Sequence, residues 1–223
     1  MPTEGSKLEW FDEVFVISHP RTGRWSKAVE VLRRDWGVEP QRVYAKRPGT
    51  KFTMNNMRRH AQGEFGCNLS HFKAVMTAAF SNKSKPLFLE DDVCFSPNAS
   101  QILGLALKDL PDDWGVLYLG GHPCEDVTRV GKYLVKVGRF SFAEAYAING
   151  AFLCKFLDYW IYRIGQPHAM FDYILGEFAR DNNGYAVVPA ITSQNDTYSY
   201  VAERIDTGKE GCVGSGWKGH LKA

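Results

Sequence analysis

Short apolar runs alternate with longer amphipathic segments along the first half of the chain. Residues 14–17, 87–89 and 116–119 are apolar without alternation, which is typical of short strands buried on both faces. Residues 25–36 and the segment after Gly66 carry apolar side chains three or four positions apart, the spacing of one helix face. This succession of strands and helices predicts an α/β fold with a mainly parallel sheet.

The second half of the chain predicts further strands. Residues 131–137 alternate in strand fashion, and we expect residues 143–148 to pair beside them. Residues 185–191 form a late strand that contains Pro189, which favours a sheet edge because proline donates no ladder hydrogen bond. These additions predict that the sheet is mixed. Helices are expected over residues 96–110, 150–163 and 168–180.

A polar, basic segment separates the early strands from the next helix. Residues 47–62 show weak patterning and are interpreted as a mobile loop, a lid or an acceptor-facing segment. The helix that follows is expected to begin after Gly66, with Asn68 as its cap and Ser70 and His71 in its first turn. Its predicted apolar face consists of Leu69, Phe72, Met76, Ala79 and Phe80.

Length and composition fit one globular domain with a short tail. The 223 residues are 44% hydrophobic and 13% aromatic, which is enough for a sizeable core. From Gly208 onward the chain is rich in glycine and lysine. We therefore predict a domain over residues 1–207 and a flexible tail over residues 208–223.

Charge, cysteine content and hydropathy narrow the class of protein. The formal charge of +2 indicates neither a nucleic acid nor an anionic membrane as partner. Five cysteines without a C-x-x-C pair indicate reduced thiols rather than a zinc knuckle or a disulfide framework. Residues 1–9 carry no apolar signal core, and no apolar run is long enough for a transmembrane helix. These features predict a cytoplasmic protein, soluble or peripheral to a membrane.

Three consecutive carboxylates, Glu90, Asp91 and Asp92, follow the buried run at residues 87–89. Like charges repel, so the cluster calls for a cation or another positive partner. A carboxylate pair at the end of a strand can share a divalent cation with a diphosphate. A solvated acidic loop is the alternative, and these residues alone leave both interpretations open.

Polar groups also follow two other predicted strands. Arg21 and Arg24 lie in the loop after the first strand, where α/β folds bind nucleotides. They are candidates for contact with phosphate or base, or else exposed loop arginines. His122 follows the strand at residues 116–119 and is a candidate metal ligand or donor contact, or an ordinary loop histidine.

Two motifs follow each other along the chain: residues 63–71 read G-E-F-G-C-N-L-S-H, and residues 89–93 read L-E-D-D-V. They resemble glycosyltransferase family 25, which includes bacterial lipooligosaccharide galactosyltransferases and collagen hydroxylysine galactosyltransferases. The first motif is similar to the family's G-E-[IV]-G-C-x-x-S-H, and the second matches its L-E-D-D-V at the expected distance downstream. Weaker similarities extend the resemblance over residues 14–200, although Asn149 departs from the family's usual serine.

The resemblance implies an A-type glycosyltransferase fold, a single Rossmann-like domain that transfers galactose or glucose from a UDP-sugar with inversion. The acceptor would be a glycan, lipid-linked or protein hydroxyl, as in lipopolysaccharide biosynthesis. Asp92, helped by Asp91 or Glu90, would hold Mn²⁺ or Mg²⁺ against the diphosphate, with His122 as a further candidate ligand. The side chains implied to contact the nucleotide sugar are Arg24, Asn68, Ser70, His71, Glu90 and Asp91.

An inverting transfer requires a carboxylate that takes the proton of the acceptor hydroxyl. Asp172 is the first candidate for this base, Glu144 the second and Glu177 the third. Asp172 lies near the start of a predicted helix, so a helix cap is the alternative role for its side chain.

Two other classes of function remain open on the sequence. A metal-dependent nucleotidyltransferase or phosphohydrolase uses a similar acidic strand end, and it predicts turnover of a nucleoside triphosphate without sugar transfer. A non-catalytic relative that binds a nucleotide sugar or glycan predicts binding that survives loss of Asp172.

Overall fold

The computed structural model describes residues 7–20, 23–46, 59–166, 169–194, 197–199, 204–206 and 221–222. The α-helices within these ranges are α1 (Arg24–Trp36), α2 (Arg59–Phe80), α3 (Ala99–Asp109), α4 (Leu153–Arg163) and α5 (Phe171–Asp181). The first strands are β1 (Glu13–Ser18), β2 (Gln41–Tyr44), β3 (Pro86–Glu90), β4 (Val93–Phe95), β5 (Val116–Tyr118), β6 (His122–Pro123), β7 (Val127–Arg129) and β8 (Leu134–Lys136). The later strands are β9 (Phe140–Ser141), β10 (Ala145–Ile148), β11 (Gly184–Val187), β12 (Thr192–Gln194), β13 (Thr197–Ser199), β14 (Arg204–Asp206) and β15 (Leu221–Lys222).

Nine of the described strands form one sheet in the order β15-β7-β8-β11-β5-β10-β3-β1-β2. Strand β10 runs antiparallel to β3 and β5, and β8 runs antiparallel to β7 and β11. The other seven strands share one direction. The predicted α/β fold with a mixed, mostly parallel sheet is therefore confirmed.

Helices cover both faces of this sheet, which explains the apolar runs without alternation. In β3, Phe88 packs into the core beneath α2, α4 and α5, whereas Leu87 and Leu89 pack into the core beneath α1 and α3. All three side chains are 0% exposed. A strand that is apolar at every position is thus buried on both sides, as the sequence predicts.

Helix α2 begins at Arg59, earlier than the sequence predicts. Residues 59–62 are helical rather than part of a loop, and residues 47–58 lie outside the described residues. Asn68 is not a cap, because it lies inside the helix and its Nδ2 donates to the carbonyls of Glu64 and Ala169. A glycine inside a helix costs only about 1 kcal/mol, which tertiary packing offsets, so Gly66 does not mark the helix start.

One residue of the predicted apolar face of α2 does not pack against the core, so its prediction is wrong. Phe80 is 82% exposed because it is the last residue of the helix, where the chain turns away from the core. Leu69, Phe72 and Ala79 do pack against the core.

Two strands occupy different places in the sheet from those predicted. The pattern places residues 143–148 beside residues 131–137, whereas β10 lies between β3 and β5. The pattern also places residues 185–191 at an edge, whereas β11 lies between β5 and β8. Strand β11 ends at Val187, before Pro189, so the missing amide hydrogen of the proline does not interrupt the ladder.

The three remaining predicted helices are present, and their first and last residues differ slightly from those predicted. Helix α3 lies within residues 96–110, α4 follows a 3-10 turn at Gly150–Phe152, and α5 ends one residue after the predicted end. No described helix is both long and apolar enough to cross a membrane. Leu221–Lys222 pairs with β7, and residues 207–220 lie outside the described residues, so the domain boundary stays a prediction.

Candidate functional site

The acidic segment lies where β3 leaves the sheet. Glu90 is the last residue of β3, and Asp91 and Asp92 form the turn into β4, which pairs with β12. The side chains of Asp91 and Asp92 are only 9% and 13% exposed. A solvated acidic loop is therefore excluded, and the buried charges need a cationic partner.

Arg24 supplies positive charge to this segment. Its Nη1 lies 3.1 Å from Oδ2 of Asp92 and 3.5 Å from Oδ1 of Asp91. Arg24 is the first residue of α1, and Gly23 before it has a φ of 66°, a left-handed conformation that favours glycine. The Nη1 atom of Arg24 therefore contacts both carboxylates. The structure thus brings together three predicted site residues, Arg24, Asp91 and Asp92.

The third carboxylate, Glu90, is held by a separate network. His71 Nε2 lies 3.2 Å from Oε1, and Gln194 Nε2 donates to Oε2 at 2.7 Å. His71 Nδ1 lies 3.1 Å from the hydroxyl of Tyr146, and its ring stacks on Phe171 at 4.2 Å. A ring that carries its hydrogen on Nε2 satisfies both contacts.

These partners also set the charge of Glu90. Burial acts to raise the pKa of Glu90, but the hydrogen bonds from His71 and Gln194 and the charge of Arg24 outweigh it and hold the pKa below its ordinary value. Glu90 therefore remains a carboxylate, with both oxygens engaged inside the protein.

Cys67 completes a group of potential metal ligands that the sequence reasoning does not single out. Among the described residues, Cys67, His71 and Glu90 bring ligand atoms within 4.8 Å of one another. The Cys67–His71 spacing of four residues on one helix is the signal that could have predicted their proximity. His71 and Glu90 already bond each other, and burial raises the pKa of the Cys67 thiol well above its ordinary value. The contact between His71 and Glu90 makes the centre of this group a polar pair within the protein.

Asn68 and Ser70, two predicted donor contacts, are engaged within the protein. Asn68 ties α2 to the segment before α5 through the carbonyl of Ala169 at 2.8 Å. The Ser70 hydroxyl donates to the carbonyl of Gly66 at 2.6 Å and accepts from the amide of Lys46 at 2.8 Å. Both side chains are buried, so their contact with a donor stays a prediction.

Asp172 faces a cavity of about 190 Å³ between α2 and α5. Its Oδ1 accepts from the amide of Tyr173 at 3.0 Å. Burial raises the pKa of Asp172 and the charge of Glu90 adds to this, while hydrogen bonds from backbone amides lower it, with a net rise. The cavity is lined by Glu64, Cys67, His71, Glu90, Phe142, Ala143, Met170, Phe171, Asp172 and Gln194.

Glu144, the second candidate base, is enclosed at the turn before β10. Its side chain is 3% exposed, and a Cβ on Gly120 would collide with both its Oε1 and the hydroxyl of Thr192. Glu144 Oε2 and Thr192 Oγ1 have no hydrogen-bond partner among the described residues. Burial, followed by the charges of Glu90 and Asp92, raises the pKa of Glu144 to about 8. Glu144 is therefore mainly protonated at neutral pH.

Glu177, the third candidate, belongs to a helix contact. Its carboxylate accepts from Arg163 at 2.8 and 3.2 Å and from the hydroxyl of Tyr159 at 3.0 Å, which joins α5 to α4. It does not line the cavity that Asp172 faces. These bonds give Glu177 a structural role.

His122 lies in β6, which pairs with β9, and its ring meets Phe142 edge-on at 5.2 Å. Within the described part of the chain, His122 does not form a cluster of ligand atoms with Asp91 and Asp92. Its role as a metal ligand stays a prediction. Phe142 has a φ of 70°, an uncommon conformation for a bulky residue that is typical of functional sites.

A second cavity, of about 340 Å³, lies on the α1 side of the acidic segment. It is lined by Arg24, Lys27 and Asp35 of α1, by Asp91 and Asp92, and by apolar side chains of α1 and β4. The acidic segment thus stands between two cavities. Glu90 and Asp172 face the first, and Asp91 and Asp92 face the second.

Comparisons with solved structures find distant similarity. The chain is similar to mannose-1-phosphate geranyltransferase from Thermus thermophilus, with 11% identity and a TM-score of 0.47 over 78% of this chain and 73% of that chain. It is also similar to a glycosyltransferase involved in the glycosylation of the major capsid of PBCV-1, with 11% identity and a TM-score of 0.44 over 79% of this chain and 91% of that chain. No curated protein sequence matches the chain.

The family comparison is more specific. The model of glycosyltransferase family 25, described as LPS biosynthesis protein, matches residues 39–155, just over half of the chain. The matched range contains both G-E-F-G-C-N-L-S-H and L-E-D-D-V, whose His71 and Glu90 are in contact. The chain belongs to glycosyltransferase family 25.

Proposed function

We propose that this glycosyltransferase moves a hexose, galactose or glucose, from a UDP-sugar to an acceptor hydroxyl with inversion at the anomeric carbon. The observation that carries the proposal is the convergence of Asp91 and Asp92 on the single Nη1 atom of Arg24, with Asp172 facing an adjacent cavity. One side of the acidic segment is suited to a cation and a diphosphate, and the other is suited to an acceptor.

The donor set fits a divalent metal ion. Two aspartate oxygens already lie within 3.5 Å of one cationic atom, so their lone pairs point to a common region. Carboxylate oxygens are preferred ligands of Mg²⁺ and Mn²⁺. Asp91 and Asp92 would hold the ion, and a bound ion would offset the negative charge that develops on the departing diphosphate.

The cavity on the α1 side is suited to the nucleotide diphosphate. It offers the positive side chains of Arg24 and Lys27 on successive turns of one helix, beside an apolar wall that includes Val31 and Phe95. Positive groups would pair with phosphate oxygens, and the apolar wall would exclude water from them. A diphosphate bound in this cavity would bring the sugar near the acidic segment.

Among the three candidate bases, the geometry favours Asp172. It is partly accessible from the cavity, whereas Glu144 is enclosed and mainly protonated and Glu177 is bonded to Arg163 and Tyr159. A carboxylate whose pKa is raised is a stronger proton acceptor than one at its ordinary pKa. Asp172 thus combines access and basicity.

The proposed step forms one bond to the anomeric carbon and breaks another. The acceptor oxygen bonds to that carbon while its proton passes to a carboxylate oxygen of Asp172. The bond between the carbon and the β-phosphate oxygen breaks, and UDP departs with the electron pair. Attack from the side opposite UDP inverts the configuration, and Asp172 later returns the proton to solvent.

Two further features of the proposal concern setting and acceptor. The family description as LPS biosynthesis protein supports a saccharide or lipid-linked acceptor. The described cysteines, Cys67, Cys94, Cys124 and Cys154, are all free thiols, which supports a reducing, cytoplasmic location.

Calorimetry tests the donor assignment. We expect UDP-galactose or UDP-glucose to bind wild type in Mn²⁺ and to lose at least about tenfold in affinity in EDTA or in Asp92→Asn. GDP-mannose and ATP are titrated separately to test whether the site binds other nucleotides. Asp112→Asn, at an exposed aspartate after α3, is the matched control and should bind like wild type. Tight ATP binding without UDP-sugar binding would instead support nucleotidyl transfer.

A further inference from the structure

We propose that Arg24 is a built-in counter-cation that competes with the divalent metal for Asp91 and Asp92, and that metal binding releases it to the diphosphate. The inference rests on the proposed function and adds a role for one residue. It predicts that Arg24 weakens metal binding in the absence of nucleotide yet strengthens nucleotide binding in the presence of metal.

The competition follows from the geometry of the ion pairs. The Arg24 Nη1 atom lies between Oδ2 of Asp92 and Oδ1 of Asp91, at 3.1 and 3.5 Å. A divalent ion bound by the same two carboxylates would lie between them, in the space that the Arg24 Nη1 atom occupies, because metal–oxygen distances are shorter than these ion-pair distances. The guanidinium and the metal ion are both cations, so they also repel each other at such a separation.

Burial makes the counter-cation necessary in the metal-free protein. The side chains of Arg24, Asp91 and Asp92 are 17%, 9% and 13% exposed. Without a cation beside them, the carboxylates of Asp91 and Asp92 would face each other in a poorly solvated place. Arg24 bonds both aspartates, whereas His71 and Gln194 bond Glu90.

The diphosphate offers Arg24 a second partner. Arg24 and Lys27 line the same cavity of about 340 Å³, together with Asp91 and Asp92. Because Arg24 lines this cavity with the two aspartates, rotation of its side chain would move the guanidinium towards a diphosphate bound there. With metal and UDP bound, the metal would neutralise the two aspartates, which would leave Arg24 for the phosphate oxygens.

Opposite signs of effect distinguish this role from a structural one. If Arg24 only fastened the start of α1 to the acidic segment, Arg24→Gln would weaken metal and nucleotide binding together. Competition predicts that Arg24→Gln binds Mn²⁺ alone about tenfold more tightly than wild type, because an intramolecular competitor has been removed. It also predicts that UDP binds the variant about tenfold more weakly at saturating Mn²⁺.

The experiment measures Mn²⁺ binding by calorimetry and by the electron paramagnetic resonance signal of free Mn²⁺, followed by UDP titration into the Mn²⁺-saturated protein. Wild type is compared with Arg24→Gln and Arg24→Lys. Arg33→Gln, which breaks an exposed ion pair with Glu39 on the same helix, is the matched control. Circular dichroism checks that each variant is folded, and Arg24→Lys keeps the test available if Arg24→Gln does not fold, with smaller changes in the same directions.

Tighter Mn²⁺ binding together with weaker UDP binding in the Arg24 variants, and neither change in Arg33→Gln, supports the proposal. Mn²⁺ binding that is equal to or weaker than that of wild type overturns it, whatever happens to UDP. Failure of the proposed function gives a different result, because then neither wild type nor any variant binds UDP in Mn²⁺.

Discussion

Replacing Glu144 by glutamine should make the protein more stable at alkaline pH and flatten its pH dependence. Glu144 is 3% exposed, and burial raises its pKa from an ordinary value of 4.5 to about 8. Between these values the native protein keeps the proton, whereas the unfolded chain releases it. The stabilising contribution is therefore present below the unfolded pKa and is lost as the pH rises through the folded pKa.

The magnitude follows from the two pKa values. Where native Glu144 is protonated and unfolded Glu144 is not, the free energy of unfolding falls by up to about 1.4 kcal/mol per pH unit. From about pH 6 to about pH 8 the loss sums to about 2 kcal/mol, reduced at the upper end because native Glu144 begins to ionise. Glutamine has the shape of the protonated acid and does not titrate, so Glu144→Gln lacks this loss.

Urea unfolding in EDTA, followed by circular dichroism at several pH values from about 6 to about 9, measures the effect. Between about pH 6 and about pH 8, the free energy of unfolding of wild type should fall by about 2 kcal/mol more than that of Glu144→Gln. Glu30→Gln, at an exposed glutamate of α1, is the matched control for the change in charge. Parallel pH curves for wild type and Glu144→Gln would refute the reasoning, because they would show that the buried carboxyl keeps its ordinary pKa.

Two further variants test the base and the packing around the acidic segment. Asp172→Asn should lower turnover by a factor of about 10² to 10⁴ while leaving Mn²⁺-dependent UDP binding within about twofold of wild type. Glu177→Gln, on the same helix, is the control and should leave turnover nearly unchanged. Equal losses of turnover in both variants would contradict the assignment of Asp172 as the base. Gly120→Ala should lower the free energy of unfolding by about 1–3 kcal/mol, because its Cβ would collide with Glu144 Oε1 and Thr192 Oγ1. Gly165→Ala, with nothing within 4 Å of the added Cβ, is the control, and similar stability of the two alanine variants in thermal unfolding would show that the space at Gly120 is larger than described.

The fold class could be predicted because β3 and β5 are apolar along their buried lengths and the helices between strands show a clear apolar face. The position of β10 could not, because its partners β3 and β5 are distant in sequence and local pattern carries no information about them. The start of α2 could not be predicted, because glycine is unfavourable inside a helix, whereas packing of α2 against the core offsets that local cost.

The candidate site divides in the same way. The acidic segment and its place at a strand end follow from the sequence, because the apolar run at residues 87–89 predicts a buried strand that ends at the carboxylates. The pairing of Arg24 with Asp91 and Asp92 and the bond from Gln194 to Glu90 depend on tertiary contacts 67 to 104 residues apart in sequence. The difference between Asp172, which faces a cavity, and Glu144, which is enclosed, depends on burial, which residue type alone does not reveal.

The central claim is that the protein breaks the bond between the anomeric carbon and the β-phosphate oxygen of a UDP-sugar with inversion. Proton NMR of UDP-galactose with the enzyme and diamagnetic Mg²⁺, with water as the surrogate acceptor, follows this bond without knowledge of the natural acceptor. The account predicts release of UDP with β-galactose as the first anomer formed, before mutarotation, and much slower release with Asp172→Asn. Formation of UMP and galactose 1-phosphate, or of α-galactose first, would contradict it.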